Sequence, residues 1–249
     1  MTTSLPLSGK IAFIQGASRG IGAAIAKRLA RDGAAVAFTY GQSADAADAV
    51  VQAIAAAGGR ALAIRADSSD ARAIREAVDQ AAQTFGRLDI LVNNAGVLAI
   101  APIDEFSLDD LDRTLAVNVR SVVVASQAAA RHMTDGGRII QIGSTNADRM
   151  PFAGGAVYAM SKSALVGLTK GLARDLGPRG ITVNNVEPGP VDTEMNPDSG
   201  EFATTLKQLM ALPRYGQVEE IASFVSYLAG PEAGYITGAS LRIDGGFSA

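Results

Sequence analysis

The run Tyr158-Ala159-Met160-Ser161-Lys162 sets a phenol and an ammonium at i and i+4, so on a helix both project from one face. A neighbouring cation favours the phenolate and lowers a tyrosine pKa from its ordinary value of about 10 toward working pH. Such a pair can exchange a proton with a substrate oxygen. Upstream, Ser144 follows an apolar run and adds a hydroxyl. A second constellation, Gly16-Ala17-Ser18-Arg19-Gly20-Ile21-Gly22, follows the first apolar run and opens a helical pattern. Gly16 permits a tight turn, Gly20 lets backbone approach a pyrophosphate, and Gly22 allows close helix–strand packing. The N–H groups and dipole of that helix then face the phosphates. Each motif alone is weak, because Tyr-x-x-x-Lys recurs on ordinary helices and many loops are rich in glycine. Together with Asn93-Asn94-Ala95-Gly96 at the end of another apolar run, they point to hydride transfer with a bound dinucleotide.

These residues need a frame, and the apolar pattern predicts one. Strands are expected at 11–14, 35–40, 61–66, 88–92, 138–142, 181–186 and 241–243. They read as continuous apolar runs, which suits parallel strands buried on both faces. Helices are expected at 21–32, 44–57, 69–85, 108–133, 158–176 and 218–229, with Ser69, Ser107 and Glu219 near starts and Gly33, Gly58 and Gly177 at stops. The rhythm predicts an α/β fold: a single doubly wound Rossmann-type domain over 1–249 with a seven-stranded parallel sheet. Residues 192–212 form a late polar insertion, expected to be a substrate loop or lid.

Composition narrows the function classes. The chain has 249 residues, 48% hydrophobic and 19% charged, with a formal charge of −3. That balance argues against a nucleic-acid or anionic-membrane binder, which would need a basic excess. No cysteine and one histidine leave no disulfide, thiolate nucleophile or multi-histidine metal centre, so no metal is expected. There is no signal-like segment and no apolar run long enough to span a bilayer, so a cytoplasmic protein is expected. Glycine numbers 27, against roughly 17 from an average usage of about 7%.

Cofactor choice is readable after the second strand. Dehydrogenases that prefer NAD place a carboxylate there to bind the ribose hydroxyls. This chain has Thr39-Tyr40-Gly41-Gln42-Ser43, with Arg19 in the glycine turn as a cationic fork and Ser43 as a hydroxyl donor. NADP(H) is therefore expected over NAD(H).

The motifs Gly16–Gly22, Asp67, Asn93–Gly96, Asn118, Ser144, Tyr158, Lys162 and Pro188–Thr193 resemble those of the short-chain dehydrogenase/reductase family, close to its 3-oxoacyl-thioester and carbonyl reductases. The resemblance covers nearly the whole chain. It implies that Tyr158 is the general acid and that Ser144 holds the carbonyl oxygen. Lys162 would tune Tyr158 and bond the nicotinamide ribose, with Asn118 positioning Lys162 through a water. Around the cofactor it implies Gly16, Ser18, Arg19, Gly20, Ile21 and Gly22 at the pyrophosphate, and Tyr40, Ser43, Asp67 and Ser68 at the adenosine. Asn94, Ala95 and Gly96 would line its path, with Pro188, Gly189, Val191 and Thr193 near the carboxamide. The implied reaction is NADPH-dependent reduction of a ketone or 3-oxoacyl carbonyl. The implied assembly is a homotetramer, for which the small residues of the two longest predicted helices are suited.

Two positions depart from the family pattern. Gln15 replaces the usual threonine before the first glycine and is expected to tie adjacent strand ends with a longer arm. Glu187 precedes Pro188; it is either a salt-bridged or solvent-facing strand end or a carboxylate shaping substrate choice. With Leu98, Met150, Phe152, Met195 and Phe202 it completes the candidate substrate pocket. His132 is expected to be exposed or to cap a helix end. A second function stays open. Segments 143–151, 171–182 and 230–233 resemble those of a cyclic-di-GMP-binding member of the family, which would make the chain a nucleotide-binding regulator.

Overall fold

The computed structural model describes residues 5–249. Seven parallel strands lie in the order β3-β2-β1-β4-β5-β6-β7. They are β1 (Ile11–Gln15), β2 (Ala35–Tyr40), β3 (Arg60–Arg65), β4 (Leu88–Asn93), β5 (Met133–Ile142), β6 (Thr182–Pro188) and β7 (Ser240–Ile243). The central strands are continuous apolar runs because both faces are covered. Along β1, Ile14 faces one helix layer and Phe13 the other, both fully buried. At about 1.5–3 kcal/mol for each large apolar side chain buried, this two-sided packing is the main stabilising contribution.

Helices α1 (Gly20–Arg31), α2 (Ala44–Ala56) and α8 (Val218–Ala229) pack on one face through Ile25, Leu29, Val50, Ile54, Val225 and Leu228. Helices α3 (Ala71–Phe85), α5 (Ser121–His132) and α6 (Ala156–Leu176) cover the other through Ile74, Val78, Ala125, Ala129 and Leu172. The strand order reverses between β1, which pairs β2, and β4, which pairs β1 on its other edge. In open α/β sheets ligands bind at the carboxyl ends of the strands beside such a reversal.

The structure revises four local expectations. The helix expected over 108–133 is three pieces: α4 (Leu108–Leu115), a π-helical turn (Ala116–Arg120) and α5. Strand β5 starts at Met133, not Arg138, with a register shift against β4 between Leu88 and Ile90. Helix α3 begins after Ser69, because Asp70 caps it by accepting from the N–H groups of Arg72 and Ala73. Gly177 continues into a short 3-10 turn (Gly177–Arg179), and the left-handed turn falls at Gly180, φ +67°. The late insertion contains its own short helix, α7 (Gly200–Gln208).

Candidate active site

The turn after β1 folds as its glycines require. Gly16 has φ +72° and Gly20 φ +55°, left-handed values that a side chain disfavours. A Cβ on Gly22 would lie 2.3 Å from the Gly16 carbonyl oxygen and 2.5 Å from Asn94 Nδ2. Asn94 Nδ2 donates to that same carbonyl at 2.5 Å, tying the end of β4 to the turn. Gly16 N–H donates to Thr39 Oγ1 at 2.9 Å, fixing the turn to β2 as well. Arg19 occupies the position before α1 in extended backbone, and no side chain caps the helix. The first-turn N–H groups of α1 therefore point into the cleft with the positive end of the helix dipole. That cradle fits the pyrophosphate of a dinucleotide.

Ser144 stands at the carboxyl end of β5, where its Oγ accepts from Asn146 N at 3.1 Å and opens a short 3-10 turn (Thr145–Ala147). Tyr158 and Lys162 project from α6 into the same cleft. Burial pushes the Tyr158 hydroxyl above its ordinary pKa, and a hydrogen bond with Ser144 opposes that rise. Burial also depresses Lys162 to about 8. Its Nζ donates to the Ile142 carbonyl at 2.9 Å and lies 5.8 Å from the Tyr158 ring centre. The lysine is thus held by the strand that carries Ser144, and Tyr158 is raised by burial rather than lowered as its spacing to Lys162 led one to expect. A protonated phenol suits a proton donor.

Asn118 lies in the π-helical turn and is buried. Its Oδ1 accepts from Val97 N at 2.8 Å, and its Nδ2 donates to Val97 O at 2.9 Å and Ser161 Oγ at 3.0 Å. Ser161 Oγ in turn donates to the Tyr158 carbonyl at 2.7 Å. A Cβ on Gly96 would lie 3.5 Å from Lys162 Nζ and 3.6 Å from Asn118 Oδ1, so these three residues converge behind the cleft. The widened turn lets an otherwise regular helix run aim one amide inward.

The cleft encloses about 1410 Å³ and collects Gly16, Ser18–Gly22, Tyr40, Ser43, Asp67, Ser68, Asn94–Gly96, Pro188, Gly189, Val191 and Thr193 along one wall and floor. At the end of the cleft beside β2 and β3, where an adenosine would lie, Asp67 is committed to Ser69, accepting from its N–H and hydroxyl, which holds the Asp67 carboxyl below its ordinary pKa. Arg65, Arg113 and Arg120 also line this end and were not anticipated from sequence. Beyond Tyr158 the walls are apolar: Leu98, Ile100, Phe152, Met195, Phe202 and Leu206, with Phe152 and Phe202 edge to face at 5.4 Å. Phe247 from the C-terminal segment joins them, under the Arg149 guanidinium.

Two of the expected pocket residues lie elsewhere. Met150 packs onto Gly155, where a Cβ would sit 1.4 Å from Met150 Cε, and its thioether fills the space a side chain there would take. Glu187 is 1% exposed because β6 continues through Pro188 and pairs Glu187 with Arg242 of β7. It accepts from Asn185 Nδ2 at 2.9 Å and faces Arg242 Nε at 3.8 Å, while burial raises its pKa. Gln15 is fully buried without a partner for its amide; the β1–β4 tie is made by Asn94 instead. His132 is half-buried beside Asp79, 2.6 Å from its carboxylate. Among the described residues no cluster of three metal-ligating side chains occurs.

Residues 16–248 match a family model described as enoyl-(acyl carrier protein) reductase. A short-chain dehydrogenase/reductase from Serratia marcescens superposes with a TM-score of 0.97 at 75% identity, covering 98% of this chain and 100% of that one. The chain belongs to the short-chain dehydrogenase/reductase family. A short-chain dehydrogenase from Burkholderia cenocepacia, solved in complex with NADP, superposes equally well (0.97) at 57% identity, covering 98% of this chain and 100% of that one. The cyclic-di-GMP-binding biofilm dispersal mediator protein of Escherichia coli is 51% identical over 97% of this chain and 98% of its own length. Membership makes the chain an oxidoreductase of this fold. No helix among the described residues is long and apolar enough to cross a membrane.

Proposed function

We propose that this short-chain dehydrogenase/reductase reduces a ketone or 3-oxoacyl-type carbonyl to the alcohol with NADPH, Tyr158 donating the proton. The observation that carries the reading is that Ser144, Tyr158 and Lys162 line the same cleft as the uncapped glycine turn. NADPH, when bound, supplies the hydride. Ser144 holds the carbonyl oxygen by donating its hydroxyl, and Tyr158 delivers the proton to that oxygen as negative charge develops there. Lys162, still largely protonated at neutral pH, favours the phenolate left behind. Leu98, Phe152 and Phe202 form an apolar wall on the far side that seats the carbonyl's apolar substituent.

The test is NADPH oxidation across a panel of ketones and 3-oxoacyl thioesters. Turnover with at least one class supports the reading, and no turnover with any of them contradicts it. A second reading has one specific support, the 51% identity to a protein named for cyclic-di-GMP binding. A guanine dinucleotide would then occupy the arginine-lined adenosine end, and calorimetry with cyclic-di-GMP, alone and against NADP⁺, distinguishes the two. Assembly as a homotetramer belongs to the same proposal: Ser163, Ala164, Gly167 and Gly171 leave one face of α6 exposed and built of small residues. Light scattering that finds a monomer at micromolar concentration would refute it.

A further inference from the structure

On the reading above, in which NADPH is the cofactor, the arginines lining the cleft can meet the 2′-phosphate, and of these Arg19 is the one in the phosphate turn. In the structure that cation is engaged. Arg19 Nη1 lies 3.0 Å from Glu194 Oε2, an ion pair joining the phosphate turn to the start of the late insertion. We propose that Glu194 is a specificity-determining residue: it competes with the 2′-phosphate for Arg19 and thereby limits the preference for NADPH over NADH.

The placement of Glu194 is built, not incidental. Residues 193 and 196 close a small turn, with Thr193 N donating to Asn196 O at 3.3 Å and Asn196 N to Thr193 O at 3.1 Å. Asn196 N also lies 3.2 Å from Thr193 Oγ1, and Tyr215 Oη reaches Asn196 Oδ1 at 3.4 Å. Thr193 Cγ2 sits 3.6 Å from where a Gly20 Cβ would be, so the turn abuts the phosphate loop. Glu194 therefore projects over the cleft mouth from a fixed backbone. Two other carboxylates of the cleft have local duties: Asp67 binds Ser69 and Asp70 caps α3. Arg19 itself caps nothing and is 65% exposed, against 71% for Glu194. Both side chains are free to re-pair.

The dianionic 2′-phosphate and Glu194 compete for the same Arg19 guanidinium, so the ion pair with Glu194 weakens the hold of Arg19 on the phosphate. NAD⁺ lacks that phosphate and does not enter this competition. An exposed ion pair is weak, so the expected effect is about two- to fivefold in affinity rather than orders of magnitude.

The experiment measures Kd for NADP⁺ and NAD⁺ by calorimetry on the full chain, for the wild type, Glu194→Gln, Arg19→Ala and the double variant. The wild type should bind NADP⁺ more tightly than NAD⁺. Glu194→Gln should raise the NADP⁺/NAD⁺ affinity ratio about two- to fivefold. The same substitution in the Arg19→Ala background should leave the ratio where Arg19→Ala put it. A ratio unmoved by Glu194→Gln overturns the proposal, as does an equal gain for both dinucleotides, which would place Glu194 against the shared pyrophosphate. A wild type that prefers NAD⁺ overturns the NADPH reading itself, and the proposal with it.

Discussion

The two ends of the cleft are held in opposite ways. Behind Tyr158 and Lys162, Asn118 spends its amide on Val97 and Ser161, Ser161 binds the Tyr158 carbonyl, and Lys162 binds the end of β5; Asn118, Ser161 and Lys162 are buried. At the mouth, Arg19 and Glu194 meet in water across two loops. Buried, fully bonded groups fix geometry, and removing one leaves its partners unsatisfied. Exposed charges exchange partners at little cost and tune a preference. On the proposed function, chemistry then falls at the buried end and cofactor choice at the exposed end.

The contrast can be broken from the buried side first. Ser144→Ala should lower kcat by about 10²- to 10³-fold, the range for losing one donor to a developing oxyanion, with NADP⁺ affinity retained. A loss shared by kcat and NADP⁺ binding would show that Ser144 instead shapes the cofactor site. Gly22→Ala should weaken NADP⁺ binding at least about tenfold, since overpacking of this kind costs roughly 1–3 kcal/mol. The new methyl would stand 2.3 Å from the Gly16 carbonyl oxygen, so the turn must open; calorimetry and a thermal melt together check this.

The pH profile sharpens the comparison. Lys162 titrates near 8 and is charged below that value. Tyr158 is raised and stays protonated throughout this range, so it remains a competent donor. Carbonyl reduction should thus decline as pH rises through about 8, as the ammonium beside Tyr158 is lost. A rate flat to pH values above that would show that the Lys162 charge contributes nothing. The smallest effect is expected at the apolar wall: Phe202→Ala removes the edge-to-face contact with Phe152, worth about 0.5–1.5 kcal/mol beyond its area. Phe202 is itself half-exposed, so KM for a bulky ketone should rise several-fold with kcat little changed.

Much of this was legible in the sequence, because the glycine turn and the Tyr158–Lys162 spacing are local patterns. All the residues expected around the dinucleotide line one cleft. The central strands were also readable, since burial on both faces leaves uninterrupted apolar runs. What escaped depends on distant partners. The π-helical turn at Asn118 is invisible in a pattern that reads as one helix from 108 to 133. Arg65, Arg113, Arg120 and Phe247 reach the cleft from four separate segments, and no sequence window contains them together. For Glu187 the sequence left a salt-bridged strand end, a solvent-facing one and a substrate-shaping carboxylate open; only its pairing with Arg242 across β6 and β7 shows it enclosed beside that guanidinium. Gln15 was expected to bond across strands, and its buried amide has no partner, for which we have no physical account.

The central claim is that Tyr158 donates the proton while the glycine turn holds the dinucleotide independently of it. Tyr158→Phe removes one hydroxyl and keeps the ring, so NADPH oxidation with an accepted ketone and calorimetry with NADP⁺ separate the two roles. The account predicts a loss of at least about 10²-fold in kcat with NADP⁺ still bound at near wild-type affinity. Turnover unchanged in that variant would contradict it.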